Sequence, residues 1–198
     1  MRCFQIINII LGFAFLSNAL PQVLPYRPVT VSRRHIAGKH AISGTDAIVH
    51  KDFLISDFYA SSTPDSTYTS FNHTLSFTFV DPNSGTETVC ARTWMSTANT
   101  TGAPFGPSYQ VCDPTAGANG KQEFFDWHLK TWTDMCHFSL ELAHEFSDPV
   151  NYKPPYDYVE YFAPVNVTLV CLDAAGTQGC TLPTSTSPLH AVITSLAN

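Results

Sequence analysis

The chain has 198 residues, a formal net charge of −6 and only 13% charged residues. Its Lys and Arg residues form no cluster, which excludes a protein that binds the phosphate backbone of nucleic acid. Past residue 19 no stretch approaches the roughly 20 apolar residues of a membrane helix. We therefore expect neither nucleic acid nor membrane among its partners.

The N-terminal segment predicts a secretory signal peptide. Arg2 precedes a short apolar run at 6–16, and small residues follow up to Ala19. The run is too short to span a bilayer, and the small residues fit a cleavage site. We expect a secreted, extracellular protein cleaved after Ala19, with a membrane anchor as the weaker alternative.

Residues 20–50 predict a flexible arm, because they carry three prolines and scattered basic residues without an apolar pattern. The pair Arg33-Arg34 is a dibasic processing signal, which would make the segment up to Arg34 a propeptide. Whether residues 20–34 are removed stays open. The folded domain is expected to span residues 51–198.

From residue 51 onward, short strand patterns alternate with turn residues. The clearest is 72–80, in which Leu75, Phe77 and Phe79 alternate with Thr and Ser. A bend at Ala163-Pro164 is expected to separate two strands. No segment has a helical period, so we predict an all-β domain, a single antiparallel β-barrel or a sandwich. The predicted strands are 53–59, 72–80, 86–94, 109–112, 123–132, 138–146, 158–162, 165–172 and 189–196.

Five cysteines remain after the predicted cleavage, and a secreted chain is expected to pair most of them. Neighbours along the chain on adjacent strands favour the bridges Cys90–Cys112 and Cys171–Cys180. Cys136 is then unpaired, either as a buried thiol or as half of an intermolecular bridge. No CxxC pair is present, and we expect neither a metal nor a cofactor.

Three Asn-x-Ser/Thr sequons begin at Asn72, Asn99 and Asn166. Each is an acceptor motif for N-glycosylation and predicts an exposed asparagine. Whether the sequons are occupied stays open.

The search for a catalytic constellation finds no nucleophile elbow, zinc-protease helix or phosphate-binding loop. His128 and His137 are a candidate metal pair with Glu141 or Asp126, but surface positions are the favoured interpretation. His144 shares a face with apolar residues and is expected to be an interior, hydrogen-bonded histidine.

Acidic side chains and tryptophans offer two further candidates. Glu141 and Glu145 lie about 13 Å apart along one strand, which is long for a glycosidase pair, whereas Asp126 and Glu141 on neighbouring strands would be closer. By strand alternation Trp132 faces the same way as Lys130, which is outward. Trp132 is therefore the better candidate for contact with a sugar or phenolic ligand, and Trp94 is a second candidate.

The order of strands and cysteines over residues 53–196 forms a further pattern. A first strand ends in Phe58-Tyr59, a long strand follows at 70–80, and the next strand carries Cys90. After these come Tyr109-Gln110-Val111-Cys112, an aromatic strand start at 124–127, the segment from Cys171 to Cys180, and a closing strand at 191–196. This order resembles the fungal small secreted proteins typified by the Alternaria major allergen.

The resemblance implies a β-barrel whose internal bridges are Cys90–Cys112 and Cys171–Cys180. It also implies an extracellular effector or elicitor without settled catalytic activity. Relatives carry an early cysteine that joins two subunits, whereas this chain has none between residue 20 and Cys90. A monomer or a non-covalent dimer is therefore expected.

The resulting hypothesis is a secreted, non-enzymatic fungal effector that binds a plant defence protein outside the cell, through loops near 60–70, 95–108 and 148–157. The alternatives are a carbohydrate-binding or small-phenolic-binding module at the cell wall and a hydrolase with an acidic pair that the sequence does not identify.

Overall fold

The structure is a computed structural model, and it describes residues 48–97, 104–174 and 176–198. The predicted signal peptide, the arm up to residue 47 with Ala19, Arg33 and Arg34, and the sequon asparagine Asn99 lie outside the described residues.

Twelve β-strands and one short 3-10 turn at Thr184–Thr186 make up the regular structure of the described residues. The strands are β1 (Phe53–Pro64), β2 (Ser70–Asp81), β3 (Thr86–Thr97), β4 (Gln110–Val111), β5 (Thr115–Ala116), β6 (Gln122–Trp132), β7 (His137–Ser147), β8 (Tyr158–Thr168), β9 (Val170–Ala174), β10 (Thr177–Thr181), β11 (Leu189–Ala191) and β12 (Ser195–Ala197).

These strands form two antiparallel sheets. Sheet A has the order β3-β2-β1-β10-β9, with β11 also paired to β1, and sheet B has the order β12-β8-β7-β6-β4, with β5 also paired to β6. The prediction of an all-β fold is confirmed. The barrel alternative is wrong, because the sheets stay separate and pack as a sandwich. No described helix has the length and apolar character needed to cross a bilayer.

The core lies between the sheets and follows from the period-two pattern of the strands. Phe77 and Phe79 of sheet A meet Trp127 and Phe125 of sheet B edge to face, with ring centroids 5.6 and 4.8 Å apart. Such contacts stabilise a core beyond the apolar area that they bury. The predicted inward residues of β2, Leu75, Phe77 and Phe79, are all buried.

The predicted bend at Ala163-Pro164 is wrong, because β8 runs without a break through both residues. Pro164 lies opposite Glu141 on β7, and β12 pairs β8 only at Glu160–Phe162. Proline lacks the N–H of a ladder hydrogen bond and is tolerated where a strand has an open side. Pro164 occupies such a position.

The predicted last strand is divided between the two sheets. Leu189–Ala191 pairs with β1 in sheet A, whereas Ser195–Ala197 pairs with β8 in sheet B. The C-terminal segment therefore crosses from one sheet to the other. An alternating pattern cannot reveal such a crossing, because both halves read as strand.

Candidate functional site

A histidine and two carboxylates form an ionic network between the sheets. Nδ1 of His144 lies 2.7 Å from Oδ2 of Asp81, and Nε2 of His144 lies 3.2 Å from Oε2 of Glu123. The second contact falls outside hydrogen-bond geometry, so we treat it as an ion pair. The three side chains are at most 6% exposed. The prediction of an interior, hydrogen-bonded His144 is confirmed.

The network favours a protonated imidazole between two ionised carboxylates. Burial opposes the charge on His144, but the hydrogen bond with Asp81 and the negative charges of Asp81 and Glu123 outweigh it and raise the pKa of His144. Burial also opposes ionisation of Glu123, while contacts from His144 and Thr86 lower the pKa of Glu123. Asp81 lies on sheet A, whereas Glu123 and His144 lie on sheet B, so the network joins the two sheets within the core.

Aromatic rings enclose this imidazole on both faces. The ring of Phe125 stacks on His144 with centroids 3.6 Å apart, and the ring of Phe146 stacks at 4.8 Å. A ring face attracts a cation, so both phenyl rings favour the protonated form.

A second polar cluster lies on the outer face of sheet B around Glu141. The Tyr109 hydroxyl donates to Oε1 at 2.7 Å, the Lys130 ammonium donates to Oε2 at 2.8 Å, and Nδ1 of His128 lies 3.9 Å away. Burial opposes ionisation of Glu141, but the hydrogen bonds from Lys130 and Tyr109 and the charge of Lys130 lower its pKa. A carboxylate held ionised in this way is a poor general acid.

The candidate metal pair His128 and His137 is not brought together. His128 lies opposite Glu141 in the β6–β7 register, whereas His137 lies opposite Thr168 and contacts Asp134 at 3.0 Å. Asp126 lies opposite Ala143, so the structure places it diagonally from Glu141. The expected convergence is therefore limited to His128 with Glu141.

Trp132 does not point outward as its parity predicted. A register shift between Leu129 and Thr131 adds one residue to β6, so Trp132 turns toward the core and lies opposite Phe138. Its ring contacts Trp94 edge to face at 5.9 Å and stacks on Phe138 at 5.5 Å.

The two candidate ligand-binding tryptophans therefore lie together, partly buried at the edge of the core. Trp94 is stacked on His73 at 5.0 Å and meets the edge of Phe105 at the same distance. One face of each indole ring is covered by a side chain of the protein. This leaves less ring surface for stacking on a sugar than an exposed platform would offer.

The five cysteines among the described residues form one pair and one group of three. Cys90 and Cys112 are bridged, with Cα atoms 4.3 Å apart. Cys171 is in bonding contact with Cys180, as predicted, and also with Cys136. Cys136, expected to be unpaired, therefore lies within the group of three. One sulfur atom forms only one disulfide bond, so one thiol remains.

Two predicted glycosylation sites lie in the described residues, one on each sheet. Asn72 on β2 and Asn166 on β8 are both exposed, in agreement with the predicted orientation of their side chains.

Two of the predicted variable loops, 60–70 and 148–157, lie wholly within the described residues, and in each of them a carboxylate accepts hydrogen bonds. β1 and β2 extend through most of 60–70 and leave a turn in which Asp65 accepts hydrogen bonds from Thr67, Thr69 and Ser70. Desolvation opposes ionisation of Asp65, but these hydrogen bonds lower its pKa. In 148–157, the Asp148 carboxylate accepts hydrogen bonds from Asn151 and Tyr161.

The outer face of sheet A carries two rows of uncharged residues that cross the sheet from edge to edge. Cross-strand register aligns each row, and the second row is displaced by two residues from the first. We call these rows the neutral face: Ala91, Ser76, Tyr59, Thr181 and Val170, then Thr93, Thr74, Ser61, Gly179 and Leu172.

The sequence interpretation missed Asp81 and Glu123. Asp81 continues the inward parity of Phe77 and Phe79, and Glu123 has the parity of Phe125. Both carboxylates could have been predicted from the sequence, because each is an acidic residue at an inward strand position in a chain that also has an interior histidine. The neutral face had no comparable signal, because its rows depend on strand order.

Comparisons with known proteins give no match to a family model, to a curated protein or to a solved structure.

Proposed function

We propose that this chain is a secreted, non-enzymatic binding protein that acts as a fungal effector on a host extracellular protein. The neutral face is the observation that carries the proposal. The disulfide bonds support an oxidising compartment such as the extracellular space. The secretory N-terminus and the fungal resemblance rest on the sequence patterns alone.

The neutral face shares two features with the centre of a protein-binding surface, the absence of charge and three exposed aromatic or aliphatic side chains. Tyr59, Val170 and Leu172 are 44%, 51% and 73% exposed. Depletion of charge together with exposed aromatic and aliphatic side chains characterises the centre of protein interfaces. The face is carried by paired strands, so docking orders little backbone and costs little conformational entropy.

The outer face of sheet B differs in charge, which makes the neutral face the better candidate. It carries Asp126, Glu141, Glu145 and Glu160 among its outward residues. Such acids blunt association and keep a surface hydrated. A partner that buries sheet A would leave this acidic side in water.

Affinity capture from plant extracellular fluid with the tagged protein tests the proposal. We expect one enriched defence protein, released by an excess of untagged protein. The neutral-face variants Leu172→Lys and Thr93→Lys should each weaken capture at least about tenfold, because a buried unpaired charge opposes docking.

Val111→Lys is the matched control, since Val111 is an exposed strand residue on the opposite sheet. It should leave capture unchanged. Equal loss in all three variants would indicate a charge effect unrelated to the face. Capture insensitive to both neutral-face variants would exclude this surface, and an empty capture from several hosts would overturn the effector function.

The ligand-binding alternative keeps one specific observation in its favour. Trp94 and Trp132 are adjacent and only partly buried, and the Arg92 guanidinium lies 5.8 Å from the centre of the Phe105 ring beside them. A glycan and small-phenolic binding screen, read by tryptophan fluorescence, tests this alternative. A saturable quench that is lost in Trp94→Ala would support it.

A further inference from the structure

Three cysteines lie side by side, one in the turn before β7 and one each on β9 and β10. The sulfur atoms of Cys136, Cys171 and Cys180 all lie within 4.8 Å of one another. The Cα separations are 6.2 Å for Cys136 and Cys171 and 4.0 Å for Cys171 and Cys180. Both separations are within or close to the range of bridged cysteines.

Backbone contacts hold Cys136 in this position independently of its sulfur. The Cys136 carbonyl accepts a hydrogen bond from the Leu169 N–H at 2.8 Å, two residues before Cys171. The Cys136 N–H donates to Oδ1 of Asp134 at 2.7 Å. The third sulfur is thus placed beside the other two by the fold itself.

The two possible bridges have different consequences for the fold. Cys171 and Cys180 are cross-strand neighbours on β9 and β10, so their bridge stays within sheet A. Cys136 directly precedes β7 of sheet B, so a Cys136–Cys171 bridge joins the two sheets covalently. The remaining thiol differs as well, because Cys136 is partly exposed whereas Cys180 is fully buried.

We propose that Cys136, Cys171 and Cys180 form an internal thiol–disulfide exchange site that moves the bridge between these two arrangements. The site presents a reactive thiol to external electrophiles and disulfides when the bridge lies within sheet A. It conceals the thiol when the bridge joins the sheets.

The exchange is balanced without an added oxidant or reductant. The Cys136 thiolate attacks the Cys171 sulfur, a Cys136–Cys171 bond forms, and the Cys171–Cys180 bond breaks. The electron pair of the broken bond leaves with Cys180, which then takes up a proton. The reverse step returns the thiolate to Cys136, so one bridge and one thiol exist throughout.

Native alkylation followed by peptide mapping tests the proposal. The oxidised protein is incubated with N-ethylmaleimide at neutral pH, and samples are quenched with acid and digested with pepsin, because exchange requires a thiolate. Before alkylation we expect both bridged peptides. During alkylation the Cys136–Cys171 peptide should disappear, with a matching gain of alkylated Cys136 and of the Cys171–Cys180 peptide.

Two locked variants are the controls. Cys136→Ser should contain only the Cys171–Cys180 bridge, Cys180→Ala should contain only the Cys136–Cys171 bridge, and neither should react with the reagent while folded. Should Cys180→Ala fail to fold, the wild type and Cys136→Ser still give the answer.

Fixed proportions of the two bridges during prolonged native alkylation would overturn the exchange. A single bridged species at every time point would overturn it as well, and so would three free thiols in the isolated protein.

Discussion

At the scale of single residues, His144 holds together the buried ionic network between the sheets. Its removal leaves the Asp81 and Glu123 carboxylates without their shared cation in the core. Breaking a buried ion pair in this way costs about 3–5 kcal/mol. We expect His144→Ala to lower the free energy of unfolding by about that amount in urea titrations.

The matched control is His137→Ala, which removes a histidine that contacts Asp134 at an exposed position. Exposed ion pairs contribute at most about 1 kcal/mol. Equal losses for the two alanine variants would show that the buried network does not stabilise the fold.

The same network predicts a defined pH dependence. The pKa of His144 is raised above 6.5, so its contribution is complete below that pH and is lost as pH rises through the folded pKa. The pKa of Glu123 is lowered below 4.5, so its contribution is complete above that pH and is lost as pH falls through the folded pKa. Both contributions are complete between these two values.

Thermal unfolding at a series of pH values measures this effect. The unfolding midpoint of the wild type should fall on the alkaline side of the window as His144 loses its proton. His144→Gln cannot take up a proton and should show a smaller alkaline decline. Parallel profiles for the two proteins would mean that His144 does not titrate in this range.

At the scale of elements, the bulge in β6 determines what Trp132 does. The extra residue near Lys130 turns Trp132 toward Phe138 and Trp94. Truncation of a packed tryptophan costs about 3–5 kcal/mol when fully buried. Because Trp132 is partly buried, we expect Trp132→Ala to cost about 2–3 kcal/mol on the same grounds.

Val111→Ala is the control for this prediction, since Val111 is 62% exposed on β4. It should change the free energy of unfolding by no more than about 0.5 kcal/mol. A similarly small effect of Trp132→Ala would contradict the inward packing and would agree with the outward orientation that strand alternation predicted.

These elements show how far the sequence predicts this fold. Strand positions and inward faces follow from alternation, as for 72–80 and 138–146, because burial on one side imposes a period of two. The orientation of Trp132 does not follow, because one bulge residue reverses the parity after it. The bend predicted at Pro164 was wrong for a related reason, because the alternation of apolar residues along a strand does not show whether that strand has a neighbour on each side.

At the scale of the whole molecule, the neutral face and the group of three cysteines both depend on strand order. The neutral face combines β3, β2 and β1 with β10 and β9. β9 and β10 begin more than seventy residues after the end of β3. The group of three cysteines likewise joins the turn before β7 to strands of the other sheet. Short sequence separation identified Cys171–Cys180 and could not reveal the sulfur of Cys136 beside it.

The alternative bridges predict different gains in stability for the whole molecule. In the chain-entropy description, a bridge stabilises by restricting the unfolded chain, and more so for a larger loop. The sequence separation is 35 residues for Cys136–Cys171 and 9 for Cys171–Cys180. The larger loop should therefore contribute about 1 kcal/mol more.

The free energy of unfolding, measured for each locked variant in its oxidised and reduced forms, isolates this contribution. The difference between the two forms cancels the local effect of each substitution, and the Cys90–Cys112 bridge contributes equally to both variants. We expect the larger difference in Cys180→Ala, where the bridge joins the sheets. A larger difference in Cys136→Ser would contradict this expectation. It would mean that the bridge within sheet A stabilises the protein more than the bridge between the sheets.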